Sequence, residues 1–387
     1  MVQDTRQLNR EAVLTALFAA RPASRKVIAE RSGISPATVT RAVEQLLAEG
    51  VVEETSEIIS ESRGRRAVEL DIVADRRLAM GVDFGATNTR ILVVDLLGRP
   101  IARRSVPTPA HEDGQLLAEW LADEARATAG DVWKRIAFVC LGMPGAVGRQ
   151  RTVSNAPNLP QVESPGFLDA VEEAFGRPMG FDNDANYALL GELHYGAATD
   201  SPNAAMLTIG YGLGAGLAID GHILQGERGL IGEFGQLPIG PLGARLEHMV
   251  TGSGIMRRAA EAGVALSEPA ALFAPDAPPA LLGLRAQFDQ ALTIVLAAVT
   301  VASDPQTIVL GGGIATSLTP ALDRYRIALE QSLRVSPAIV TARLGSYSGA
   351  VGAAVAALHQ VYAALGVHPD VIVRLPGGDA IAEDLPV

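Results

Sequence analysis

The chain reads Met80-Gly81-Val82-Asp83-Phe84-Gly85-Ala86-Thr87-Asn88-Thr89-Arg90, and an apolar run, Ile91-Leu92-Val93-Val94, follows directly. This pattern predicts a strand, a tight turn of small and hydroxyl-bearing residues, and a second strand that returns beside the first. A Walker phosphate loop is excluded, because it requires a helix and a Gly-Lys-Ser/Thr sequence after the turn. The turn still offers backbone N–H groups to a phosphate, and Asp83 is placed to hold the water shell of a metal ion.

A second glycine loop occupies residues 208–216, Thr208-Ile209-Gly210-Tyr211-Gly212-Leu213-Gly214-Ala215-Gly216. Part of it matches the loose dinucleotide pattern G-x-G-x-x-A, but a strand follows where that pattern needs a helix, so a Rossmann fold is excluded. Strands alternate with helices from Leu78 onward, which predicts an α/β fold. Two strand–loop–strand phosphate hairpins in one chain resemble the duplicated architecture of sugar kinases, actin and its chaperone relatives.

The first 70 residues have the pattern of a winged helix-turn-helix. Ser24 and Gly33 bound a short second helix, and Ser35-Pro36 begins a third. Two strands follow, at 51–59 and 67–72, and the segment between them carries three arginines. Such a module binds double-stranded operator DNA with its recognition helix and wing. The candidate DNA-contacting residues are Ser35, Ala37, Thr38, Thr40 and Arg41 on the helix and Arg63, Arg65 and Arg66 at the wing.

The charge of the chain is distributed unevenly. Its net charge of −11 argues, taken alone, against a protein that binds phosphates of nucleic acid. Residues 1–70, however, contain ten basic and ten acidic side chains, so the whole negative charge lies in residues 71–387. The charge therefore does not count against DNA binding by the first segment. A helical protein–protein module with a solvated basic loop is the alternative interpretation of that segment.

Several motifs between residues 78 and 313 carry a specific family resemblance. They are Gly81-Val82-Asp83 with Gly85, Thr87 and Asn88; Leu141-Gly142-Met143-Pro144-Gly145; Ala156-Pro157-Asn158-Leu159-Pro160; Asn183-Asp184-Ala185-Asn186; Gly229 through Gly232-Glu233-Phe234-Gly235; and Pro305 with Ile308-Val309-Leu310-Gly311-Gly312-Gly313. Together they resemble the ROK family (repressor, open reading frame, kinase), and the whole chain resembles its transcriptional regulators. The resemblance implies a winged helix-turn-helix at residues 1–75. It further implies, at 76–387, a two-lobed actin-like, sugar-kinase (ribonuclease H-like) ATPase-type fold with a sugar site between the lobes.

The resemblance also assigns roles to single residues. The implied sugar-binding residues are Asn158, Asn183, Asp184, Glu233, Gln236 and Glu247. Asp184 matches the aspartate that takes the proton from the attacking hydroxyl in family kinases. The implied phosphate and nucleotide loops contain Asp83, Gly85, Thr87, Asn88, Gly210, Gly212, Gly214, Gly311, Gly312 and Gly313. Considered locally, Asn183 and Asp184 also suit the cap of a following helix, and Glu233 suits a surface turn.

The chain departs from the family pattern at the zinc site. The resemblance implies one histidine and three cysteines, but those positions hold Gln236, Pro238, Gly240 and Arg245, and the only cysteine of the chain is Cys140. Amide and backbone groups do not replace thiolates, so we expect no zinc and no required cofactor. Mg²⁺-ATP would be needed only by an active kinase. Ala86 and Tyr211 replace a glycine and a threonine of the two loops, and we expect both changes to weaken ATP binding.

Three functions are compatible with the sequence. The preferred one is a sugar-responsive transcriptional regulator, a repressor of carbohydrate-metabolism genes, that binds operator DNA and a sugar or sugar-phosphate effector as a homodimer or homotetramer. The second is an ATP-dependent hexose kinase that also carries a DNA-binding domain, and the third is a DNA-binding scaffold that does not respond to sugars. Because no run of 18 apolar residues and no signal-peptide pattern occurs, we expect a cytoplasmic protein without a membrane partner. The apolar run 291–302 is predicted to be a buried helix, and the tail, 367–387, is assigned no role.

Overall fold

A computed structural model describes residues 5–59, 66–110, 113–239, 244–275 and 277–367, without the side chains of residues 56–59 and 66–67. Within these residues the predicted α/β architecture is confirmed. Three parts follow one another along the chain: a winged helix-turn-helix, a first lobe and a second lobe. A long final helix then returns to the first lobe.

The winged helix-turn-helix has the predicted elements and one further short strand. Its elements are α1 (Thr5–Ala20), β1 (Ala23–Ser24), α2 (Arg25–Ser32), α3 (Pro36–Ala48), β2 (Val52–Ile59) and β3 (Arg66–Ile72). Ser24 accepts a hydrogen bond from Val27 N as the cap of α2, and Gly33 ends that helix with φ of 68°. Ser35 likewise caps α3, with Pro36 as its first residue. The strand order β1-β3-β2 places the short strand, which the sequence did not predict, at one edge of the sheet.

The first lobe is built on a five-stranded sheet. Its elements are β4 (Leu78–Phe84), β5 (Asn88–Val94), β6 (Pro100–Pro107), α4 (Gly114–Ala129), β7 (Ile136–Met143), β8 (Ala146–Gly148), β9 (Thr152–Ser154), α5 (Phe167–Phe175), β10 (Met179–Asn183) and α6 (Asp184–Tyr195). The strand order is β10-β7-β4-β5-β6, with β4, β5 and β6 antiparallel and β7 and β10 parallel to β4. The predicted hairpin at residues 80–94 is therefore β4–β5, at the centre of this sheet.

The second lobe repeats the same topology. Its elements are β11 (Ala204–Ile209), β12 (Leu213–Ile219), β13 (His222–Ile223), β14 (Pro238–Ile239), β15 (Ala244–Arg245), α7 (Glu247–Val250), α8 (Gly252–Glu261), α9 (Leu282–Ser303), β16 (Thr307–Gly311), α10 (Ala315–Leu318), α11 (Leu322–Leu333) and β17 (Ala338–Thr341). The strand order β13-β12-β11-β16-β17 again joins an antiparallel meander to two parallel strands. The duplication expected from the two glycine hairpins is thus present in the fold.

The final helix, α12 (Ser348–Leu365), joins the first lobe to the winged helix-turn-helix. It packs along α6 and against β4, and its glycines let the backbones approach closely, since a Cβ on Gly352 would lie 1.7 Å from the carbonyl oxygen of Tyr187. At its far end, the ring of Tyr362 meets Phe18 of α1 at 5.1 Å between centroids. One apolar core therefore includes residues of α1, α3 and α12. The expected domain boundary at residue 75 has a shared core across it rather than a free linker.

Two segments are long and apolar enough to cross a membrane by length and composition alone, residues 279–303 and 345–365. They contain α9, which includes the predicted buried run 291–302, and α12. In the described fold α9 contributes Val295, Leu296 and Val299 to the core of the second lobe, and α12 lies in the shared core. Both helices are accounted for as packed core helices.

Candidate functional site

The junction of β10 and α6 places the predicted catalytic segment beside the second glycine loop, where a Cβ on Gly214 would lie 3.6 Å from Oδ1 of Asp184. Asn183 ends β10 and caps α6, because its Oδ1 accepts a hydrogen bond from Ala185 N at 2.9 Å. Its Nδ2 donates to the carbonyl of Gly145 at 2.9 Å. The carboxylate of Asp184 accepts a hydrogen bond from the same Ala185 N–H at 2.8 Å. Both side chains therefore cap α6, as their local sequence suggested, and the capping hydrogen bonds fix the orientation of each side chain at the start of the helix.

The first glycine hairpin brings Asp83 to the start of the final helix. Gly85 N donates to Asn88 O at 3.1 Å, which closes the turn that contains Thr87. Asp83 lies beside Arg90, with 3.6 Å between Oδ2 and Nη1. It also lies against the start of α12, where a Cβ on Gly349 would come within 2.8 Å of its carboxyl carbon. The first loop and the last helix of the chain thus meet at this carboxylate.

The second glycine loop touches sugar-site residues from both lobes. A Cβ on Gly212 would lie 3.0 Å from the amide nitrogen of Asn158 and 3.4 Å from Oε1 of Glu247. A Cβ on Gly214 would lie 3.6 Å from Oδ1 of Asp184. The structure therefore brings these three predicted sugar-binding residues together around one loop.

The third predicted loop lies against the second. Gly312 has φ of 86°, a conformation that favours glycine, and Ile314 N donates to Ile209 O at 3.1 Å. Among the residues that the structure describes, and apart from the adjoining residues of the chain, no heavy atom lies within 4 Å of the position that a Cβ would take on Gly210 or on Gly313. Open space beside two backbone loops is the arrangement that a nucleotide phosphate requires. Tyr211, which follows Gly210 in the second loop, is 55% exposed.

A chain of hydrogen bonds occupies the positions of the family zinc site. The guanidinium of Arg245 donates to Oε1 of Gln236, and Nε2 of Gln236 donates to Glu247 at 3.3 Å. Pro238 pairs with Arg245 in the β14–β15 ladder, while Gly240 lies outside the described residues. An amide and a guanidinium are not zinc ligands, so these side chains do not fit that metal. They instead connect the loop to the carboxylate of Glu247, a predicted sugar-binding residue.

Three carboxyl groups of the site have raised pKa values. Burial raises the pKa of Asp83 to about 6, against the opposing effect of Arg90. Burial, followed by the charge of Asp83, raises the pKa of Asp184 to about 7. Burial, followed by the charge of Glu247, raises the pKa of Glu233 to about 7. A carboxyl whose pKa lies near neutrality is suited to exchange a proton with a hydroxyl group.

The recognition helix α3 presents only part of the predicted DNA-contacting set. Ala37 and Arg41 are exposed, and the guanidinium of Arg41 makes no hydrogen bond to any residue that the structure describes. Ser35 and Thr38 hydrogen-bond each other at 2.9 Å, and the hydroxyl of Thr40 donates to Pro36 O at 3.0 Å. The hydroxyl groups of these three residues therefore form hydrogen bonds within α3 and its cap, although all three lie at the surface of the helix. Arg63 and Arg65 lie outside the described residues, and Arg66 begins β3 with its side chain outside the description.

Comparison with known proteins agrees with this geometry. The sequence model of the ROK family matches residues 79–360, and that of a winged helix-turn-helix DNA-binding module matches residues 7–53. The chain belongs to the ROK family. The predicted family resemblance is thereby confirmed.

Named relatives of this ROK protein include regulators and kinases. It is 31% identical over 245 residues to the DNA-binding transcriptional dual regulator NagC of Escherichia coli, covering 62% of this chain and 59% of NagC. It is 30% identical over 238 residues to the xylose repressor of Caldicellulosiruptor bescii, covering 60% of this chain and 59% of the repressor. The matches thus span about 59% of the length of these curated relatives.

Solved structures support the fold. The ROK hexokinase of Thermus thermophilus matches with a TM-score of 0.61 and 34% identity, over 73% of this chain and 99% of that one. A ROK transcriptional regulator that is a homologue of the E. coli MLC protein matches with a TM-score of 0.71 and 23% identity, over 95% of this chain and 99% of that one. The second likeness shows the fold alone, and it extends through the winged helix.

Sequence reasoning missed two buried charged residues that hold distant parts of this ROK protein together. Glu192 of α6 is fully buried and accepts four hydrogen bonds from Ala197, Arg343, Leu344 and Ser348. Arg10 of α1 donates to the carbonyl of Leu365 at 2.7 Å and pairs with Glu49. The only signal in the sequence was that each charged residue falls on an otherwise apolar face of a helix. That signal does not show which residue each one contacts, because the contacting residues are distant in sequence.

The stability of the unliganded chain is expected to fall as pH rises through the range of these carboxyl groups. A folded-state pKa near 7, against ordinary pKa values of 3.8 for Asp184 and 4.5 for Glu233, means that the folded state binds protons more tightly than the unfolded one. Their stabilising contribution is complete below about pH 4 and is lost as pH approaches and passes 7.

We therefore expect Asp184→Asn to show a smaller drop in Tm between pH 5.5 and pH 8 than the unmodified chain. Asp323→Asn, at an exposed position of α11, is the charge-matched control and should keep the original drop. Thermal unfolding followed by circular dichroism at each pH measures both. Equal pH dependence in all three proteins would contradict the assignment of raised pKa to this cluster.

Proposed function

We propose that this ROK protein is a sugar-responsive DNA-binding transcriptional regulator, a cytoplasmic repressor of carbohydrate-metabolism genes. One observation carries the proposal: a helix-turn-helix with an exposed recognition helix shares a core with a two-lobed body whose cleft gathers Asn158, Asp184 and Glu247. Carboxylate and amide groups around a cleft are suited to hold neighbouring hydroxyls of a sugar or sugar phosphate.

The effector acts by changing how the lobes lie relative to each other. Asn158 belongs to the first lobe and Glu247 to the second, so a ligand held by both binds one lobe arrangement more tightly than another. Helix α12 contacts Asp83 near one end and α1 near the other, so a change in the lobe arrangement is transmitted through α12 to the DNA-binding module. A homodimer or homotetramer presents two recognition helices to a palindromic operator, and the effector alters their spacing.

The test is operator binding with and without sugars. An operator duplex, selected from random sequences by the full chain, is titrated in the presence of glucose, xylose, N-acetylglucosamine or glucose 6-phosphate. We expect at least one of them to change the affinity for the operator. If none of a wide sugar panel does so, the chain is a DNA-binding scaffold and the sensor proposal is wrong.

Glu247→Gln separates the sugar response from DNA binding. The substitution keeps the side-chain shape and removes the negative charge that strengthens hydrogen bonds to hydroxyls. We expect unchanged operator affinity and an increase of about tenfold or more in the sugar concentration needed for the response. Glu261→Gln, exposed at the end of α8, is the matched control and should behave like the unmodified chain. Fluorescence anisotropy of the labelled operator measures both quantities.

A second candidate function, hexose kinase, is favoured by two observations. The pKa of Asp184 is raised to about 7, which suits a general base, and open space lies beside Gly210 and Gly313 for a nucleotide phosphate. Bound Mg²⁺-ATP would supply the phosphoryl group, while Asp184 would accept the proton of the sugar hydroxyl. ADP release with a hexose and Mg²⁺, abolished in Asp184→Asn, would support this activity. Its absence would leave regulation as the function.

We further propose that the chain needs no metal. The hydrogen bonds among Arg245, Gln236 and Glu247 support the zinc-free hairpin β14–β15. Incubation with EDTA is expected to leave the Tm and the sugar response unchanged, and metal analysis of the purified chain should find less than stoichiometric zinc. Stoichiometric zinc together with a lower Tm after chelation would overturn this.

A further inference from the structure

A cavity of about 290 Å³ lies beside β10, between the two lobes and apart from the predicted sugar residues. First-lobe residues Phe138 and Phe181 line it on one side, and Ile223 and Gln225 of the second lobe line it on another. Asp182 and Asn186 form its polar part. The volume is near the lower end of the range for small-molecule sites, about 300–1,000 Å³.

Asp182 and Asn183 are adjacent residues of β10, and their side chains make contacts on opposite faces of the strand. Successive side chains of a strand point to opposite faces. Asn183 reaches Gly145, whereas Asp182 accepts a hydrogen bond from Gln225 Nε2 of the second lobe at 2.6 Å. The cavity beside Asp182 is therefore distinct from the site around Asn183, although the two are one residue apart.

The polar part of the cavity has unused capacity to accept hydrogen bonds. Asp182 is 8% exposed, and its Oδ1 accepts from Asn183 N at 2.7 Å and from Asn186 Nδ2 at 2.8 Å. Asn186 is 7% exposed, and its Oδ1 has no hydrogen-bond partner among the residues that the structure describes. An unpartnered buried carbonyl oxygen costs about 1–3 kcal/mol. Because this oxygen is buried, a ligand hydroxyl reaches it only after the Asn186 side chain shifts toward the cavity, and a donor placed there recovers that cost.

The lining defines the chemistry of such a ligand. It contains no lysine or arginine, so nothing there neutralises a phosphate or carboxylate. Acceptor oxygens of Asp182 and Asn186 favour a donor-rich molecule, and the rings of Phe138 and Phe181 offer an apolar surface. Hydroxyl groups on one side and C–H groups on the other are the pattern of a monosaccharide or small polyol.

We propose that this cavity is a second ligand site, which binds a neutral, hydroxyl-rich small molecule through Asp182 and Asn186. The occupant contacts both lobes, since Gln225 and Ile223 belong to the second and Asp182 to the first. Binding there therefore favours the lobe arrangement in which the Gln225–Asp182 hydrogen bond is made. The site would adjust the affinity of the adjacent cleft without competing for it.

The test uses the full chain with its cleft weakened by Glu247→Gln, so that binding in the cleft does not hide the second site. Glucose, xylose, N-acetylglucosamine and sorbitol are the neutral probes, with glucose 6-phosphate and ethanolamine as charged ones. At about ten times the dissociation constant, at least one neutral probe should raise the Tm by about 2–4 °C. Isothermal titration should give a saturable site of one per chain.

Two substitutions at the rim then fill the cavity. Gln360 is exposed and Ala356 is half-buried on α12, and both line it, so Gln360→Phe or Ala356→Leu should block the site without removing a buried hydrogen bond. Added to Glu247→Gln, either is expected to abolish the Tm rise. Gln290→Phe, at an exposed position of α9, is the matched control and should retain it.

Three outcomes would overturn the proposal: no neutral probe stabilises the Glu247→Gln chain, the stabilisation survives both rim substitutions, or only a charged probe binds. Circular dichroism and operator binding establish that each variant is folded. The Tm and titration measurements follow ligand binding to the Glu247→Gln chain and do not involve the operator. If they show no second site, the effect of sugars on operator binding still tests the proposed function independently.

Discussion

Replacing Glu192 by alanine is expected to destabilise the folded chain by about 4 kcal/mol or more. The side chain is fully buried, and its two carboxylate oxygens accept hydrogen bonds from three backbone N–H groups and the hydroxyl of Ser348. Each donor left unsatisfied inside the protein costs about 1–3 kcal/mol, in addition to the cavity formed. For many domains of this size such a loss is a large part of the total stability.

Denaturant unfolding of the purified variant measures this effect. Glu173→Ala, at an exposed position of α5, removes the same side chain where it makes no buried contact and should change the stability by about 0.5 kcal/mol or less. Similar midpoints for the two variants would mean that the Glu192 contacts add no net stability. Loss of soluble Glu192→Ala protein, with Glu173→Ala produced normally, agrees with the expectation.

Arg41→Ala is expected to give the largest loss of operator affinity among single substitutions of the described surface. Arg41 is exposed on the first turns of α3, beside Ala37, where a recognition helix contacts base edges. Loss of an arginine contact to a base costs about 1–3 kcal/mol. In the proposed homodimer on a palindromic operator, two copies would double this to about 2–6 kcal/mol. The affinity should fall at least about 30-fold, with weaker discrimination at one base position.

The control for Arg41→Ala must carry the same change of charge. Arg326→Ala, on α11 of the acidic body, removes one positive charge far along the chain from the recognition helix. Anisotropy titrations at fixed salt should give near-normal affinity for that variant, since a contact with DNA is not expected there. Equal losses for the two variants would indicate a general effect of net charge and would exclude a specific contact by Arg41.

Helices whose ends are set by capping residues, and hairpins of contiguous strands, were predictable from the sequence. Ser24, Gly33 and Ser35-Pro36 act within one turn of the chain, so their effect on a helix boundary is the same in any fold. The two phosphate hairpins were predictable for the same reason, since strand, turn and strand are contiguous. The two-residue strand β1 was missed because a segment so short has no periodicity to detect.

Contacts between distant residues could not be predicted in this way. Arg10 and Leu365 are 355 positions apart, and Glu192 and Ser348 are 156 apart, so no local pattern relates them. The candidate site was predictable only as a set of residues. Which of them meet, as Asn158 and Glu247 do at Gly212, depends on how the two lobes close.

The position of α12 has a mechanical consequence. The helix has 18 residues and is therefore about 27 Å long, with Gly349 against Asp83 near one end and Tyr362 against Phe18 near the other. A rigid rod of that length, tilted by about 5° at the cleft, moves its opposite end by about 2 Å. Its last carbonyl is held by Arg10, so α1 must travel with it. In the regulator proposed above, such a helix would convert a small rotation at the sugar-binding residues into a displacement large enough to take a recognition helix out of register with the bases.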